Sequence, residues 1–262
     1  MNLDLTGKRA WVCGSTQGIG LGAAQELANL GASITLIARN EQVLRDIQND
    51  LPTPQHQTHT YVVADFDDLS ALQIGLNQEL AEGRAAEILV NNTGGPKGGP
   101  VHEANLEEFT QAFGRHLLAN QLLTQSLLSH MKEAKFGRII NIISTSVKAP
   151  IPNLGVSNTI RGAVANWAKT LATELAPFGI TVNNVLPGFT ETARLKSIIQ
   201  NRAQAQGAPA SVIAEQMRKS VPAQRFASVE EVASAVAFLA SPSAGYINGI
   251  NLPVDGGRLP TL

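Results

Sequence analysis

Residues 9–20 read RAWVCGSTQGIG, and this stretch decides the fold. An apolar run over 9–14, typical of a buried strand, turns through a glycine-rich segment into a helix predicted over 18–30. Glycines at this spacing let backbone N–H groups at a helix start approach an anion such as a pyrophosphate. We therefore expect a dinucleotide-binding loop formed by Gly14, Ser15, Thr16, Gln17, Gly18, Ile19 and Gly20. An ordinary glycine-rich turn is the alternative.

The rest of the chain repeats this alternation of short apolar runs and amphipathic stretches. Runs that are apolar throughout are typical of parallel strands covered on both faces. Further strands are predicted over 33–38, 58–64, 88–91, 138–144, 181–186 and 251–254. Helices are predicted over 41–51, 69–82, 106–134, 157–176, 203–219 and 229–239. The pattern predicts one α/β domain over 1–262, a Rossmann-type doubly wound parallel sheet with ligands beyond the carboxyl ends of its strands.

Composition narrows the class of protein further. The 262 residues are 44% hydrophobic and 16% charged, enough to bury a sizeable core. A formal net charge of −1 argues against nucleic-acid and polybasic membrane-surface partners. With Cys13 as the only cysteine, disulfides and cysteine-based zinc sites are excluded, and no metal site is expected. No signal peptide or apolar run of transmembrane length is recognisable, so we expect a cytoplasmic protein.

Two strand ends indicate which cofactor binds. Arg39 follows the strand at 33–38. In proteins that bind a cofactor with a free ribose 2′-hydroxyl, this position usually carries an acidic residue that bonds to the hydroxyl. Arg39 can instead pair with a 2′-phosphate, which favours NADP(H) over NAD(H). A solvated arginine is the alternative. Asp65, after the strand at 58–64, either accepts from an adenine amine or caps a helix.

Five further motifs complete a resemblance that covers nearly the whole chain. They are NNTG at 91–94, GRIINIIS at 137–144, NNVLPGFTET at 183–192, PAQRF at 222–226 and VDGG at 254–257. Together with the glycine loop they resemble the short-chain dehydrogenase/reductase (SDR) family, in its 3-oxoacyl-acyl-carrier-protein reductase-like branch. The resemblance implies that Asp65 lies at the adenine, Asn91 and Gly94 near the adenosine ribose, and Pro187, Gly188 and Thr192 at the nicotinamide.

The catalytic positions depart from the family pattern. The family uses a serine that orients the carbonyl, a Tyr-x-x-x-Lys pair and an asparagine that supports a water relay. Ser144 matches the serine, but Ser157 stands at the tyrosine position and Arg161 at the lysine position. Neither Tyr61 nor Tyr246, the only two tyrosines, restores the motif.

These replacements affect proton transfer more than cofactor binding. An alkyl hydroxyl is a far weaker acid than a phenol, so Ser157 is a poor substitute for tyrosine. Arg161 keeps the positive charge and can still bond ribose hydroxyls. His116 falls where the asparagine would be, and it is either a proton carrier near pH 7 or a buried or solvated helix residue.

Two other segments carry less information. The loop GGPKGGP at 94–100 either shapes substrate entry or is a plain connection. A helical insertion over about 193–221 occupies the family's substrate-loop position. Its arginines Arg194, Arg202 and Arg218 are either solvated or meet an acidic or phosphorylated substrate.

The leading hypothesis is an NADP(H)-dependent oxidoreductase that interconverts a carbonyl and an alcohol, with a small molecule or an acyl thioester as substrate. Ser144, Ser157, Arg161 and His116 are its candidate catalytic residues. A non-catalytic NADP-binding protein is the main rival, and non-redox chemistry such as dehydration is the third reading. By resemblance we expect a homo-oligomer, a tetramer or a dimer, assembled through the two long helices.

Overall fold

A computed structural model describes residues 1–261, and its centre is a parallel sheet. Within those residues the sheet has seven strands in the order β3-β2-β1-β4-β5-β6-β7. The strands are β1 (Arg9–Cys13), β2 (Ser33–Ala38), β3 (Thr60–Val63), β4 (Ile88–Asn91), β5 (Gly137–Ile142), β6 (Ile180–Pro187) and β7 (Asn251–Val254). The order reverses between β1 and β4, where a doubly wound sheet opens the crevice that binds ligands. The predicted Rossmann-type fold is therefore confirmed.

Helices cover both faces of the sheet. They are α1 (Gly18–Asn29), α2 (Glu41–Asp50), α3 (Leu69–Ala81), α4 (Leu106–Phe113), α5 (Ala119–Glu133), α6 (Gly155–Leu175), α7 (Ala193–Gln206), α8 (Ala210–Lys219) and α9 (Val229–Ala240). On one face Leu27 of α1 and Val232 of α9 pack on the strands. On the other face Leu76 of α3 and Leu123 of α5 belong to a second core cluster, which includes the fully buried Trp11 of β1. Burial of apolar residues on both faces explains why the strands are mostly apolar. Among the described residues, no helix is both long enough and apolar enough to cross a membrane.

Two helical segments differ in detail from the sequence expectation. The predicted helix over 106–134 is α4 and α5 joined by a π-helical turn, Gly114–Leu118. The predicted helix over 203–219 is wrong as one element, because α7 starts at Ala193 and ends at Gln206, and the next residue, Gly207, has φ +59°. A residue in the left-handed conformation terminates a helix. Pro209 is then the residue that precedes α8.

A row of asparagines crosses the sheet near its carboxyl edge. Asn91 of β4 donates from Nδ2 to Oδ1 of Asn141 at 2.8 Å, Asn141 donates to Asn184 at 2.9 Å, and Asn184 donates to Asn251 at 2.9 Å. The four residues lie in register on neighbouring strands. This asparagine ladder gives the buried amides hydrogen-bond partners, except for Oδ1 of Asn91, and ties together the strands below the site.

Candidate cofactor and active site

The glycine-rich loop after β1 is shaped so that side chains would not fit. Gly14 has φ +59°, and a Cβ there would lie 2.5 Å from the backbone oxygen of Asn92. A Cβ on Gly20 would lie 2.2 Å from the backbone oxygen of Gly14. Gly18 has φ +54° and lies against the methyl group of Thr192, so the loops after β1 and β6 meet. Glycine is required at Gly14 and Gly20 because a larger residue must displace backbone, and it is favoured at Gly18 by the positive φ.

The start of α1 is free to bind an anion. In the described chain its N-cap residue, Gln17, makes no side-chain capping bond, and its first turn contains no acidic residue. The hydroxyl of Ser15 instead accepts from the backbone N–H of Ile37 at 3.0 Å and is fully buried beneath the loop. Uncapped N–H groups and the positive end of the helix dipole suit a phosphate. The cradle therefore fits the pyrophosphate of a dinucleotide, with Ser15 as a support for the loop.

The two residues predicted to contact the adenosine half lie side by side. Nη1 of Arg39 is 3.8 Å from Oδ2 of Asp65, and both side chains are exposed. Arg39 also lines an open depression of about 600 Å³ at the start of α2, together with Asn40, Glu41, Gln42 and Arg45. An exposed pair at this distance is weakly held, so the guanidinium remains able to turn to a phosphate.

The other predicted cofactor residues lie along the carboxyl edge of the sheet, and they differ in burial and in contacts. The side chain of Asn91 belongs to the asparagine ladder and is 2% exposed, so it is turned away from a ribose. Gly94 is exposed with open space around it. Pro187 ends β6, and a Cβ on Gly188 would lie 2.7 Å from the Cα of Asp255. Thr192 caps α7 by accepting from the N–H of Leu195.

The candidate serines lie at the two elements expected for them. Ser144 follows β5, is half-buried, and its Oγ accepts from the N–H of Ser146 at 3.1 Å. That bond leaves the hydroxyl hydrogen of Ser144 available to a ligand. Ser157 is the third residue of α6, since the helix begins at Gly155 and not at Ser157 as predicted.

Arg161, one turn after Ser157 on α6, is a buried cation. It is 8% exposed, and it donates from Nη1 to the backbone oxygen of Ile142 at 3.0 Å and from Nη2 to that of Thr93 at 3.4 Å. Burial, and then the charge of Arg194, lower the pKa of Arg161 to about 10. The guanidinium therefore stays protonated at neutral pH, at the carboxyl ends of β4 and β5.

His116 does not support the proton-carrying role that the sequence suggested. It lies in the π-helical turn, is 1% exposed, and its Nδ1 is 2.5 Å from Oγ1 of Thr93. Burial first, and then the charges of Arg161 and Arg115, lower the pKa of His116 to about 2. The imidazole is consequently neutral near pH 7, and its Nε2 has no hydrogen-bond partner among the described residues.

Sequence reasoning missed two residues of the site. Asn92 donates to the backbone oxygens of Cys13 at 3.2 Å and Gly14 at 3.4 Å, which holds the glycine loop against β4. Thr93 contacts both His116 and Arg161. The only feature of the sequence that could have pointed to Asn92 and Thr93 was their place in the motif at 91–94, at the end of a predicted strand.

Comparisons with known proteins agree with this geometry. A family model described as enoyl-(acyl carrier protein) reductase matches residues 14–258. NADPH-dependent reductase BacG of Bacillus subtilis (strain 168) is 30% identical over 257 residues, covering 97% of this chain and 99% of that protein. 3-Oxoacyl-[acyl-carrier-protein] reductase FabG of Haemophilus influenzae (strain ATCC 51907 / DSM 11121 / KW20 / Rd) is 33% identical over 255 residues, covering 97% and 98%. The crystal structure of L-sorbose reductase from Gluconobacter frateurii, complexed with NADPH and L-sorbose, superposes with a TM-score of 0.93 at 29% identity over the whole of both chains.

Proposed function

The chain belongs to the short-chain dehydrogenase/reductase family, and from that premise we propose that it is an NADP(H)-dependent oxidoreductase that interconverts a carbonyl and an alcohol. The observation that carries the proposal is the uncapped start of α1 in a loop whose Gly14 and Gly20 leave no room for a Cβ, close to Thr192 at the other loop of the crevice. Relatives named as reductases of a 3-oxoacyl carrier protein and of a sugar ketone support carbonyl chemistry. BacG is named an NADPH-dependent reductase and the L-sorbose reductase structure is a complex with NADPH, which supports the preference for NADP(H) that Arg39 suggests.

The residues expected to hold the cofactor follow the crevice. The loop 14–20 would bind the pyrophosphate, Arg39 the 2′-phosphate, and Arg161 the nicotinamide ribose. Asp65 would face the adenine, the backbone near Asn91 and Gly94 the adenosine ribose, and Pro187, Gly188 and Thr192 the nicotinamide. When bound, NADPH supplies the hydride that reduces the carbonyl carbon.

Ser144 orients the substrate in this scheme. Its Oγ accepts from the N–H of Ser146, which leaves its own hydrogen available for donation to the carbonyl oxygen. The positive charge of Arg161 stabilises the negative charge that develops on that oxygen as hydride arrives at carbon. Both groups act on the oxygen without giving up a proton.

The proton that completes the alcohol comes from water in this scheme. Ser157 is too weak an acid to deliver this proton. His116 cannot act as the general acid near pH 7, because its pKa is lowered to about 2 and the imidazole is neutral. Losing a positioned general acid typically lowers a rate by about 10²–10⁴-fold, so we expect slow turnover with the orientation of the reactants intact.

Two measurements on the full chain test the proposal. NADPH binding is followed by the fluorescence of its nicotinamide, and turnover by the absorbance of NADPH with a panel of ketones, aldehydes and 3-oxoacyl thioesters. We expect submicromolar to micromolar binding and slow oxidation of NADPH by some members of the panel. Tight binding without turnover across the panel would favour the rival reading, a non-catalytic NADP-binding protein, which the absence of the family's tyrosine supports.

We also propose that the chain assembles with copies of itself. Phe113 and Leu118, on the helices that the family uses for assembly, are 39% and 43% exposed although apolar. Light scattering of the purified chain distinguishes a tetramer or dimer from a monomer.

A further inference from the structure

The loop after β6 reaches across the crevice and contacts the loops that follow two other strands. The methyl group of Thr192 would lie 3.1 Å from a Cβ on Gly18, in the loop after β1. A little further along the chain, Nη2 of Arg194 donates to the backbone oxygen of Pro96 at 3.2 Å, in the loop after β4. The strand order places β1 and β4 on one side of β5, and β6 on the other side. The loop after β6 therefore passes over the carboxyl end of β5 to make both contacts.

The contact between Arg194 and Pro96 closes a ring around the end of β5. Pro96 follows β4, which ends at Asn91, and Arg194 follows β6, which ends at Pro187. β5 lies between these two strands and pairs with both, and Ser144 comes after its end. Neighbouring strands are about 5 Å apart, so the base of the ring is about 10 Å wide. The ring therefore spans the position of Ser144 and leaves width for little more than a small molecule.

The loop 94–100 is also held on its other side. The N–H of Gly99 donates to the backbone oxygen of Asn153 at 2.8 Å, and the N–H of Gly155 donates to that of Gly99 at 3.0 Å. These two backbone bonds fix the loop to the start of α6. The bond of Arg194 differs from them because it comes from an exposed side chain. It can open and close without any change in the backbone bonds of the loop.

Arg194 belongs to a part of the chain that has an apolar core of its own. It lies in the first turn of α7, and α7 packs on α8 through Leu195, Ile213 and Met217. This cluster is separate from the two that cover the faces of the sheet. We call α7 and α8 together the lid. Because the lid and the sheet have separate cores, the lid can lift from the crevice as one piece when Arg194 releases Pro96.

We propose that the bond between Arg194 and Pro96 is a latch that holds the lid over Ser144, and that it makes the chain select small, free carbonyl compounds over acyl groups tethered to a macromolecular carrier. A free substrate needs the latch open only while it enters, whereas a tethered substrate keeps it open throughout turnover. A hydrogen bond from a charged donor changes an equilibrium by about 10-fold, and a tethered substrate loses that contribution. The choice of substrate rests on the proposed carbonyl chemistry, but the closure of the lid does not depend on turnover.

The closure is tested without turnover by labelling a thiol beneath the latch. Cys13, the only cysteine, is fully buried, and burial raises its pKa to about 12, so the parent chain should not react with maleimides. The variant Ser144→Cys is treated with N-ethylmaleimide and with maleimide-terminated polyethylene glycol, alone and combined with Arg194→Met, which keeps a long side chain but cannot donate. We expect Arg194→Met to raise the ratio of the polymer rate to the small-reagent rate about 10-fold. Taking the ratio cancels any change in the reactivity of the thiol.

Two further variants are controls in the Ser144→Cys background. Arg194→Lys keeps a cationic donor and should restore much of the ratio seen with arginine. Arg202→Met removes an exposed arginine from a later turn of the same helix and should leave the ratio unchanged. An equal ratio with and without Arg194 would overturn the latch. Failure of N-ethylmaleimide to react in either background would also overturn it, because a small molecule must be able to enter.

Turnover of a matched pair of thioesters tests the choice of substrate. The 3-oxobutanoyl group is presented on N-acetylcysteamine and on thiol-terminated polyethylene glycol, two uncharged carriers, and the oxidation of NADPH is followed. We expect kcat/KM of the parent to be at least about 10-fold higher for the small thioester, and Arg194→Met to remove most of that difference. Equal kcat/KM for both thioesters in the parent would overturn the choice of substrate. Labelling that responds to Arg194, without oxidation of NADPH by either thioester, would leave the latch standing and count against the carbonyl chemistry.

Discussion

Replacing His116 by asparagine should change how the stability of the protein depends on pH. The imidazole is 1% exposed and its pKa is lowered to about 2, chiefly by burial and then by the neighbouring charges of Arg161 and Arg115. In the unfolded chain the same group has its ordinary pKa of 6.5. Below pH 6.5 the unfolded chain therefore takes up a proton that the folded chain refuses, and stability falls as the pH falls.

The size of the effect follows from those two pKa values. Each pH unit below 6.5 removes about 1.4 kcal/mol from the free energy of unfolding, so the loss from pH 7 to pH 5 is about 2 kcal/mol. Any folded-state pKa below about 4 gives the same loss over this range. His116→Asn keeps a polar side chain that can bond to Thr93, and it has no proton to gain.

Urea denaturation of the two proteins at pH 7, 6 and 5 measures the difference. We expect the variant to gain about 2 kcal/mol on the parent between pH 7 and pH 5. His102→Asn, at an exposed position, is the control and should stay parallel to the parent. A difference between parent and His116→Asn that is constant from pH 7 to pH 5 would refute the argument that a neutral imidazole is buried beside Arg161.

Three further changes test the cofactor and catalytic sites. The double change Ser157→Tyr with Arg161→Lys should raise the rate on a generic ketone by about 10²-fold or more if proton transfer is limiting; an unaltered rate in a folded protein means that the phenol was not what limited the reaction. Arg39→Ala should weaken NADPH binding, measured by nicotinamide fluorescence, about 10-fold or more and NADH binding little, and equal losses contradict the 2′-phosphate assignment. Gly20→Ala should abolish NADPH binding or destabilise the fold, because its Cβ would lie 2.2 Å from a backbone oxygen, whereas Gly114→Ala, with open space around it, should do neither in the same binding and melting assays.

The fold was predictable because its signals are local. The glycine loop, the apolar strands and the caps of the helices each depend on residues that are close in the chain, and Asn40 at the start of α2 is one such cap. The interior of the site was not predictable in the same way. Thr93 and His116 meet only because a π-helical turn joins α4 and α5 and points the imidazole inward. A turn of this kind leaves no clear mark in a sequence.

The contacts of the arginines in the substrate-loop segment were equally hidden. Arg194 was one of three arginines in the substrate-loop segment with nothing to distinguish them. Only the packed structure holds Arg194 to the backbone oxygen of Pro96, while Arg218 pairs with Glu215 on its own helix. The arginines differ in their partners because loops that are distant in the sequence come into contact only in the folded chain.

The asparagine ladder makes its four positions interdependent. Each amide donates in the same direction, from β4 towards β7, so the side-chain dipoles add along the row and Oδ1 of Asn91 is left without a partner among the described residues. Replacing Asn141 by leucine would orphan a donor on one neighbour and an acceptor on the other, which costs more than either lost bond. Changing all four to apolar residues together would orphan none. The four positions can therefore become apolar at low cost only together, because a single apolar substitution leaves a buried polar group of a neighbouring asparagine without its partner.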